Sequence, residues 1–379
     1  MNLSRKILAE LETPCIIIDV EQVRRNIAAM QRAADEAHCR LRPHIKTHKT
    51  AFFARMQAEA GAAGITCAKV SEAEVMAAGG LDDIFIAYPL VGAFRIRRAL
   101  VLVSKLKRLI LAVDSLAGAQ ALSEAAREAG LWLEVRLEID TGKRRTGVPL
   151  EAAAGLAEAV AKLPGLELTG IYTFKGLLYR GAGVSDHELA AREEAELLEQ
   201  IAQEIRRRGV NIRDISGGST PTALALARIG KVNEIRPGTY IFNDIMTVQE
   251  GAARVEDMAV RYAATVVSCP RPDYAVIDGG TKCFPTDTPL NTLPGNYPGY
   301  ALVEDPVSFE TADHLRLDRM NEEHGIIRST SGLTGLSVGQ VITLVPIHVC
   351  TAINMQNSVY LLEKGAVRRQ VVEARGMLV

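Results

Sequence analysis

The sequence predicts an α/β protein in which a (β/α)8 TIM-like barrel is followed by a second, mostly antiparallel β domain. Short β-branched runs alternate with amphipathic helical stretches through the first two-thirds of the chain. From about residue 246 the helical period fades, and short β-type runs separated by turn signals replace it. Strands that alternate with helices form parallel sheets, whereas closely spaced strands with turns form antiparallel ones.

The barrel is predicted over residues 14–245 because about seven or eight strand–helix units fall there. This number fits a closed barrel better than an open doubly wound sheet, which remains the structural alternative. A further strand is expected to end in the basic segment at 41–50. The other predicted strands are residues 15–19, 64–68, 83–87, 108–114, 133–140, 168–173 and 214–218.

The second domain is predicted over residues 246–379, with residues 1–13 as candidates to pack with it. Its strand-like runs are AATVVSC, YAVIDGG, GIIRST, QVITLVPIHVC, SVYLLE and AVRRQVVEARG.

Composition excludes several classes of protein. The 44 basic and 45 acidic residues nearly cancel, so overall charge gives no indication of nucleic-acid or anionic-membrane binding. No apolar stretch reaches the roughly 18 residues that a membrane-spanning helix needs, and the start of the chain lacks a secretory signal pattern. Six cysteines without close pairing are typical of reduced thiols. These features predict a cytoplasmic protein.

The segment LRPHIKTHKT (41–50) contains two histidines, two lysines and an arginine. Pro43 favours an extended backbone, and strand alternation would place His44 and Lys46 on one side. Surrounding cations, Arg42 among them, would favour the neutral, nucleophilic form of Lys46, which an imine with an aldehyde requires. An ordinary solvated basic loop is the alternative interpretation.

Two later turns resemble a phosphate site. In DISGGSTPT (214–222), Gly217 and Gly218 let backbone N–H groups approach an anion, and Ser219 and Thr220 add hydroxyl groups. A second Gly-Thr-Tyr turn lies in EIRPGTYIFND (234–244). Phosphate cups built from two late loops recur in barrel enzymes. Pyridoxal phosphate, an aldehyde that carries a phosphate, would connect these turns with the lysine.

These segments give the chain a specific resemblance. TPCIIIDVEQVRRNI, RPHIKTHK, GITCAKVSEAEVMAAGG, DTGKRRTGV, SGGSTPT, RPGTY, EEHGII and HVCTAIN stand in the order found in the D-threonine aldolase/D-serine dehydratase family. This family has the alanine-racemase-like fold of pyridoxal-phosphate enzymes. The resemblance implies that Lys46 carries the cofactor and that Arg145 lies near its phenolic oxygen. It also implies that the phosphate is held by Gly218, Ser219, Thr220, Gly238, Thr239 and Tyr240.

The HVC triplet suggests a metal site. It follows the apolar run VITLVP, and on a strand His348 and Cys350 would point to one face. Imidazole nitrogen and thiolate sulfur suit zinc, with manganese or magnesium as alternatives. The alternative is a purely structural role, with a buried histidine beside a small apolar cysteine, but the family resemblance favours a metal-binding pair. Glu323 and His324 are candidates to shape the same site or to form a surface turn.

One segment departs from the family pattern. Where relatives commonly carry a histidine, GIYTFKGLLYRG (170–181) has Phe174 and Lys175. Phe174 could stack on the cofactor ring. Lys175 could serve as a catalytic base or bind the carboxylate of an acidic substrate such as 3-hydroxyaspartate.

The resemblance implies a pyridoxal-phosphate and divalent-metal-dependent lyase that acts on D-3-hydroxy amino acids. Retro-aldol cleavage to glycine and an aldehyde is the leading expectation. β-Elimination, a metal-independent racemase and a non-enzymatic cofactor-binding protein are the alternatives. The fold relatives form dimers, so a homodimer is expected.

Overall fold

The protein was analysed as a computed structural model that describes residue 1, residues 3–287 and residues 299–379. The chain divides into two compact units. One, the barrel unit, comprises residues 27–46, 50–238 and 377–379. The other, the sheet unit, comprises residues 1–26, 47–49 and 239–376, as far as the structure describes them.

Twenty strands lie in the described part of the chain. They are β1 (Cys15–Asp19), β2 (Arg40–Leu41), β3 (Ile65–Cys67), β4 (Asp83–Pro89), β5 (Arg108–Val113), β6 (Leu133–Asp140), β7 (Val148–Pro149), β8 (Leu166–Tyr172), β9 (Leu178–Tyr179), β10 (Ala182–Gly183), β11 (Asp214–Gly217), β12 (Glu234–Ile235), β13 (Val260–Arg271), β14 (Tyr274–Ile277), β15 (Ala301–Glu304), β16 (Thr311–Met320), β17 (Gly325–Ser329), β18 (Val341–Pro346), β19 (Ser358–Glu363) and β20 (Ala366–Val371).

Eleven α-helices accompany them within the described residues. They are α1 (Arg5–Leu8), α2 (Val20–Glu36), α3 (Ala51–Glu59), α4 (Val70–Ala78), α5 (Ala93–Val103), α6 (Leu116–Ala129), α7 (Leu150–Ala161), α8 (His187–Arg207), α9 (Ala223–Ile229), α10 (Ile245–Gln249) and α11 (Val349–Asn354). Three 3-10 turns cover Ile45–Thr47, Thr239–Ile241 and Val255–Asp257. None of the helices in the described residues is long and apolar enough to cross a membrane.

The barrel unit contains eight parallel strands in the order β2-β12-β11-β8-β6-β5-β4-β3. A parallel bridge between His44 and Thr66 joins the two ends of this order, so the sheet closes. The predicted (β/α)8 barrel is therefore confirmed. Helices connect successive strands, as parallel pairing requires. The carboxyl ends of all eight strands consequently lie at one end of the barrel, where barrel enzymes carry their active sites.

The sheet unit is built on nine strands in the order β14-β17-β16-β15-β18-β13-β1-β19-β20, and β14 also pairs with β13. All these pairings are antiparallel except that between β1 and β19. This confirms the mostly antiparallel second domain.

The strand Cys15–Asp19 was expected in the barrel, and this expectation is wrong. β1 pairs with β13 and β19 of the sheet unit. All five of its residues are buried. The segment therefore has no alternation of apolar and polar residues, which is the pattern that distinguishes a strand with one solvent-exposed face from a strand buried in a parallel sheet. The division of the chain likewise differs from the boundaries 14–245 and 246–379. Leu3 and Leu8 pack with Cys15 in the core of the sheet unit.

Candidate active site

Lys46 lies just beyond the carboxyl end of β2, on the 3-10 turn Ile45–Thr47. The expectation that His44 and Lys46 lie on one side of a strand is therefore wrong. The turn instead lets the backbone N–H of Lys46 donate to Nδ1 of His44 at 3.3 Å. If a strand continued after Pro43, this N–H would donate to a backbone carbonyl of a neighbouring strand. Here the imidazole takes that place, so His44 fixes the turn that carries the lysine.

The cationic surroundings expected for Lys46 are only partly present. Arg42 is fully buried, and its guanidinium donates to Glu234 Oε2 at 2.9 Å and to Asp83 Oδ1 at 2.5 Å. Its charge is thus neutralised by two carboxylates. A guanidinium paired in this way exerts little net field on its surroundings.

Phe174 connects Lys46 with Arg145 inside the barrel unit. The Nζ of Lys46 lies 5.4 Å from the centroid of the Phe174 ring. The guanidinium carbon of Arg145 lies 4.8 Å from the same centroid. Three residues from different βα loops thus meet around one aromatic ring, which is half-buried and offers a flat apolar surface. Arg145 and Phe174 were predicted to contact the cofactor, and Lys46 was predicted to form a covalent bond with it.

Lys175 does not fit the predicted role of catalytic base. Its side chain is fully buried, and Nζ forms an ion pair with Glu193 Oε2 at 2.7 Å. The same Nζ donates to the carbonyl oxygens of Ala190, at 3.0 Å, and Leu178. An ammonium group has three donors, and three partners are present. Lys175 therefore holds the loop after β8 against α8 and presents no unbonded amine.

The glycine turn after β11 is shaped by Glu194, a residue that the sequence analysis missed. Glu194 Oε1 accepts the N–H of Gly218 at 2.8 Å. Burial raises the pKa of the Glu194 carboxyl beneath the turn. The signal was available, since Glu194 falls on the buried face of the amphipathic helix α8. Gly218 has φ +80°, which explains the glycine there.

The hydroxyl groups of this turn support one another. The Oγ of Ser219 lies 3.0 Å from the Oγ1 of Thr222, and the N–H of Ser219 donates to the same Thr222 oxygen at 3.1 Å. The N–H of Gly218 is already bonded to Glu194, so this turn would offer a phosphate group mainly hydroxyl donors. Ser219 and Thr220 remain the predicted phosphate contacts here, and Gly238 ends the barrel unit.

Thr239 and Tyr240 belong to the sheet unit, on the 3-10 turn Thr239–Ile241. The Oγ1 of Thr239 lies 3.7 Å from the Sγ of Cys350. Tyr240 is buried. Thr47, which follows Lys46 in the chain, places its Oγ1 3.2 Å from the same Cys350 sulfur. Two hydroxyl groups of the sheet unit thus face one thiol.

His348 and Cys350 are not on a strand, contrary to expectation. β18 ends at Pro346, His348 is the N-cap of α11, and Cys350 lies in its first turn. The two side chains nevertheless interact directly. Burial opposes protonation of His348, but bonds to Asp287 and Cys350 outweigh it and raise the pKa of the imidazole to about 11. The two residues predicted as a metal pair therefore lie together at a helix N-terminus and not on a strand, and their role as ligands stays a prediction.

Two carboxylates beside His348 were not foreseen. Asp287 bonds to Nδ1 of His348 and accepts the hydroxyl of Thr351 at 3.0 Å. Asp244 is fully buried, accepts the N–H of Val349 at 2.9 Å, and has its pKa raised by burial. Neither carboxylate lies near His348 in sequence, and no motif marks them. Carboxylates that orient a ligating imidazole are common around metal sites.

The described residues contain no group of three or more His, Cys, Asp and Glu side chains arranged to hold a metal ion by themselves. A pair of protein ligands leaves coordination positions for water and substrate, which suits a catalytic ion more than a structural one. Glu323 and His324 lie in an exposed turn between β16 and β17, where Glu323 pairs with Lys282. This supports the surface-turn interpretation for them.

Two family models match the chain. A family model described as the N-terminal domain of alanine racemase matches residues 18–245, and one described as a putative serine dehydratase domain matches residues 259–362. D-threo-3-hydroxyaspartate dehydratase of Delftia sp. (strain HT23) is 35% identical over 90% of this chain and 92% of its own. D-threonine aldolase of Arthrobacter sp. is 30% identical over 95% of this chain and 91% of its own.

Solved structures give the same result. The dehydratase from Delftia sp. HT23 superposes with a TM-score of 0.88 at 32% identity, covering 96% of this chain and 98% of that one. D-threonine aldolase from Filomicrobium marinum has a TM-score of 0.85 at 28% identity and covers 98% of both chains. Alanine racemase of Clostridium difficile 630, at 13% identity and a TM-score of 0.67, shares the fold. The chain therefore belongs to the D-threonine aldolase/D-serine dehydratase family of pyridoxal-phosphate-dependent enzymes.

Proposed function

We propose that this protein is a pyridoxal-phosphate and divalent-metal-dependent lyase that eliminates the β-hydroxyl group of D-3-hydroxy amino acids. The products are a 2-oxo acid and ammonia. The contact between His348 and Cys350 carries the lyase assignment, because a nitrogen–sulfur donor pair is superfluous for racemisation. The similar Delftia protein, named a D-threo-3-hydroxyaspartate dehydratase, supports the reaction type.

The residues of the barrel unit fit pyridoxal phosphate. They supply an amine at Lys46, an aromatic surface at Phe174 and a turn with hydroxyl groups at Ser219 and Thr220. We propose that Arg145 contacts the cofactor's phenolic oxygen, and that Gly218, Gly238, Thr239 and Tyr240 complete its phosphate site. When bound, the cofactor supplies an electron sink for negative charge at the substrate Cα.

We assign the proton transfer to Lys46 and the activation of the leaving group to a metal ion held by His348 and Cys350. The Nζ of Lys46 would hold the cofactor in the resting enzyme and take the Cα proton during the reaction. His348 and Cys350 would hold the divalent ion, a Lewis acid for an oxygen leaving group, with zinc favoured by the thiolate. Phe174 would keep the cofactor ring in place and exclude water from one of its faces.

Elimination is favoured over aldol cleavage by the burial of Lys175. Retro-aldol cleavage needs a base for the β-hydroxyl proton, and the segment after β8 supplies only Phe174 and a fully bonded lysine. Elimination needs a base at Cα, which Lys46 provides. Aldol cleavage is the second candidate, because the Arthrobacter relative is named a D-threonine aldolase and is 30% identical over most of the chain.

A product assay separates these reactions. Metal-loaded enzyme is incubated with D-threonine, D-serine and D-threo-3-hydroxyaspartate, and ammonia, 2-oxo acid, glycine and L-amino acid are measured separately. We expect ammonia and 2-oxo acid in equal amounts, lost on chelation and in Lys46→Ala. Glycine with an aldehyde would instead establish aldol cleavage. Enantiomer formation that survives chelation would establish a racemase and overturn the proposal.

A further inference from the structure

Two exposed arginines of the barrel unit adopt a backbone conformation that their residue type disfavours. Arg144, after β6, has φ +54°, and Arg180, between β9 and β10, has φ +50°. A side chain with a Cβ pays a steric penalty in this left-handed region, where glycine or asparagine is usual. Because this conformation is disfavoured for arginine, a role for the two side chains is a hypothesis to be tested against their surroundings.

The two backbones are held in place from within by carboxylates. Asp140 Oδ1 accepts the N–H of Gly142 at 2.9 Å and that of Arg144 at 3.0 Å. The two oxygens of Glu193 accept the N–H of Arg180 at 2.9 and 3.1 Å. Glu193 in turn is fixed by its ion pair with the buried Lys175. The backbone of each arginine is thus held by a carboxylate of the barrel unit.

The two loops meet at the carboxyl-terminal end of the barrel. β6 and β8 are paired neighbours, so the loops that follow them emerge side by side. A Cβ placed on Gly142 would lie 3.8 Å from the Cα of Gly181. Arg144 is two residues from the first glycine and Arg180 is next to the second, so their long side chains can reach a common ligand.

These loops carry more positive charge than they neutralise. Lys143, Arg144, Arg145 and Arg180 are all exposed. Within residues 1, 3–287 and 299–379, none of the four makes an ion pair with a carboxylate. The same loop also reaches the Phe174 ring through Arg145, at 4.8 Å, and Lys46 lies 5.4 Å from that ring. The unpaired charge therefore borders the residues that we assign to the cofactor.

We propose that Arg144 and Arg180 bind the side-chain carboxylate of the substrate and so select dicarboxylic D-3-hydroxy amino acids over D-serine and D-threonine. This inference rests on the proposed function. A guanidinium donates two parallel hydrogen bonds to a carboxylate, a geometry that a neutral side chain such as that of threonine cannot use.

Steady-state kinetics of Arg144→Asn, Arg180→Asn and the double variant test the proposal. Asparagine tolerates the left-handed backbone, so the loops are preserved while the charge is removed. We expect kcat/KM for D-threo-3-hydroxyaspartate to fall about 10- to 100-fold per substitution, mostly through KM, as for loss of charged hydrogen bonds. The value for D-serine should stay within about twofold. Lys105→Asn, an exposed cation before β5 at the opposite end of the barrel, is the matched control.

Calorimetry on the holoenzyme gives a readout that does not depend on turnover. D-malate should bind more tightly than D-lactate, which lacks the second carboxylate, and the double variant should bind the two alike. Equal losses for D-serine and D-threo-3-hydroxyaspartate would reveal a merely structural role and overturn the assignment. Unchanged kinetics for the dicarboxylate would also overturn it. If the wild type turns over no D-3-hydroxy amino acid, the proposed function fails, whereas the preference for D-malate still tests the arginine pair.

Discussion

Lys175→Met separates a structural lysine from a catalytic one. Methionine is similar in length but removes the ammonium, leaving Glu193 and the carbonyl oxygens of Leu178 and Ala190 without their donor. Removing one partner of a buried ion pair costs about 3–5 kcal/mol. The Glu193 side chain is 18% exposed, so water recovers part of this loss. We expect a destabilisation of about 3 kcal/mol, near the lower end of that range.

Thermal unfolding and kinetics together decide between the two roles. At about 2–4 °C per kcal/mol for a unit of this size, Tm should fall by about 6–12 °C. Lys175→Arg, which retains the charge, should recover part of the loss. The kcat measured well below the transition should change by less than about tenfold, whereas loss of a general base typically costs 10²–10⁴-fold. A fall in kcat of that larger size at unchanged Tm would refute the structural role and restore Lys175 as a base.

Three further outcomes are expected. In Gly217→Ala, the new Cβ would lie 2.7 Å from Glu194 Oε1, so either the turn must shift or the carboxyl that accepts the Gly218 N–H must move. The Kd for pyridoxal phosphate, measured by absorbance titration, should therefore rise at least about tenfold. Burial opposes ionisation of Glu234, but two buried arginines hold its pKa well below its usual value. The ionised carboxylate therefore stabilises the folded protein above pH about 4, and this stabilisation is lost as the pH falls through the folded-state pKa. The free energy of unfolding, measured by urea titration from pH 7 to 3, should fall accordingly, and Glu234→Gln should make this pH dependence smaller. His348→Ala and Cys350→Ala should each lower the bound metal, measured by elemental analysis after dialysis, to a small fraction of wild type; unchanged content would exclude the pair as ligands.

Much of the architecture could be predicted from local pattern alone. The strand Leu133–Asp140 was placed to the residue, because its apolar run is bounded by helix-like sequence on one side and a turn on the other. Cys15–Asp19 was assigned to the wrong sheet because a fully buried strand has the same apolar composition in a parallel barrel and in an antiparallel sheet. Which sheet it joins depends on partners more than 240 residues away in sequence, and no local signal encodes them.

The candidate site shows the same limit. Lys46, His348 and Cys350 were predicted as site residues because motifs carry them, and Phe174 because its segment departs from the family pattern. Both backbone predictions failed there, since Ile45–Thr47 and the start of α11 are tight turns where alternation was assumed. Asp287 was missed because its contact with His348 spans 61 positions of the chain. Chemistry can be deduced from residue type and spacing, whereas the supporting contacts depend on tertiary structure.

The position of β1 also constrains how this protein can be made. Its neighbours β13 and β19 are synthesised only after about 240 and 340 further residues. β1 must therefore wait for these partners while that length of chain is made, which at about 5–20 residues per second takes tens of seconds. A nascent chain of this kind is a natural client for a chaperone, and slowing translation should increase its aggregation rather than rescue it.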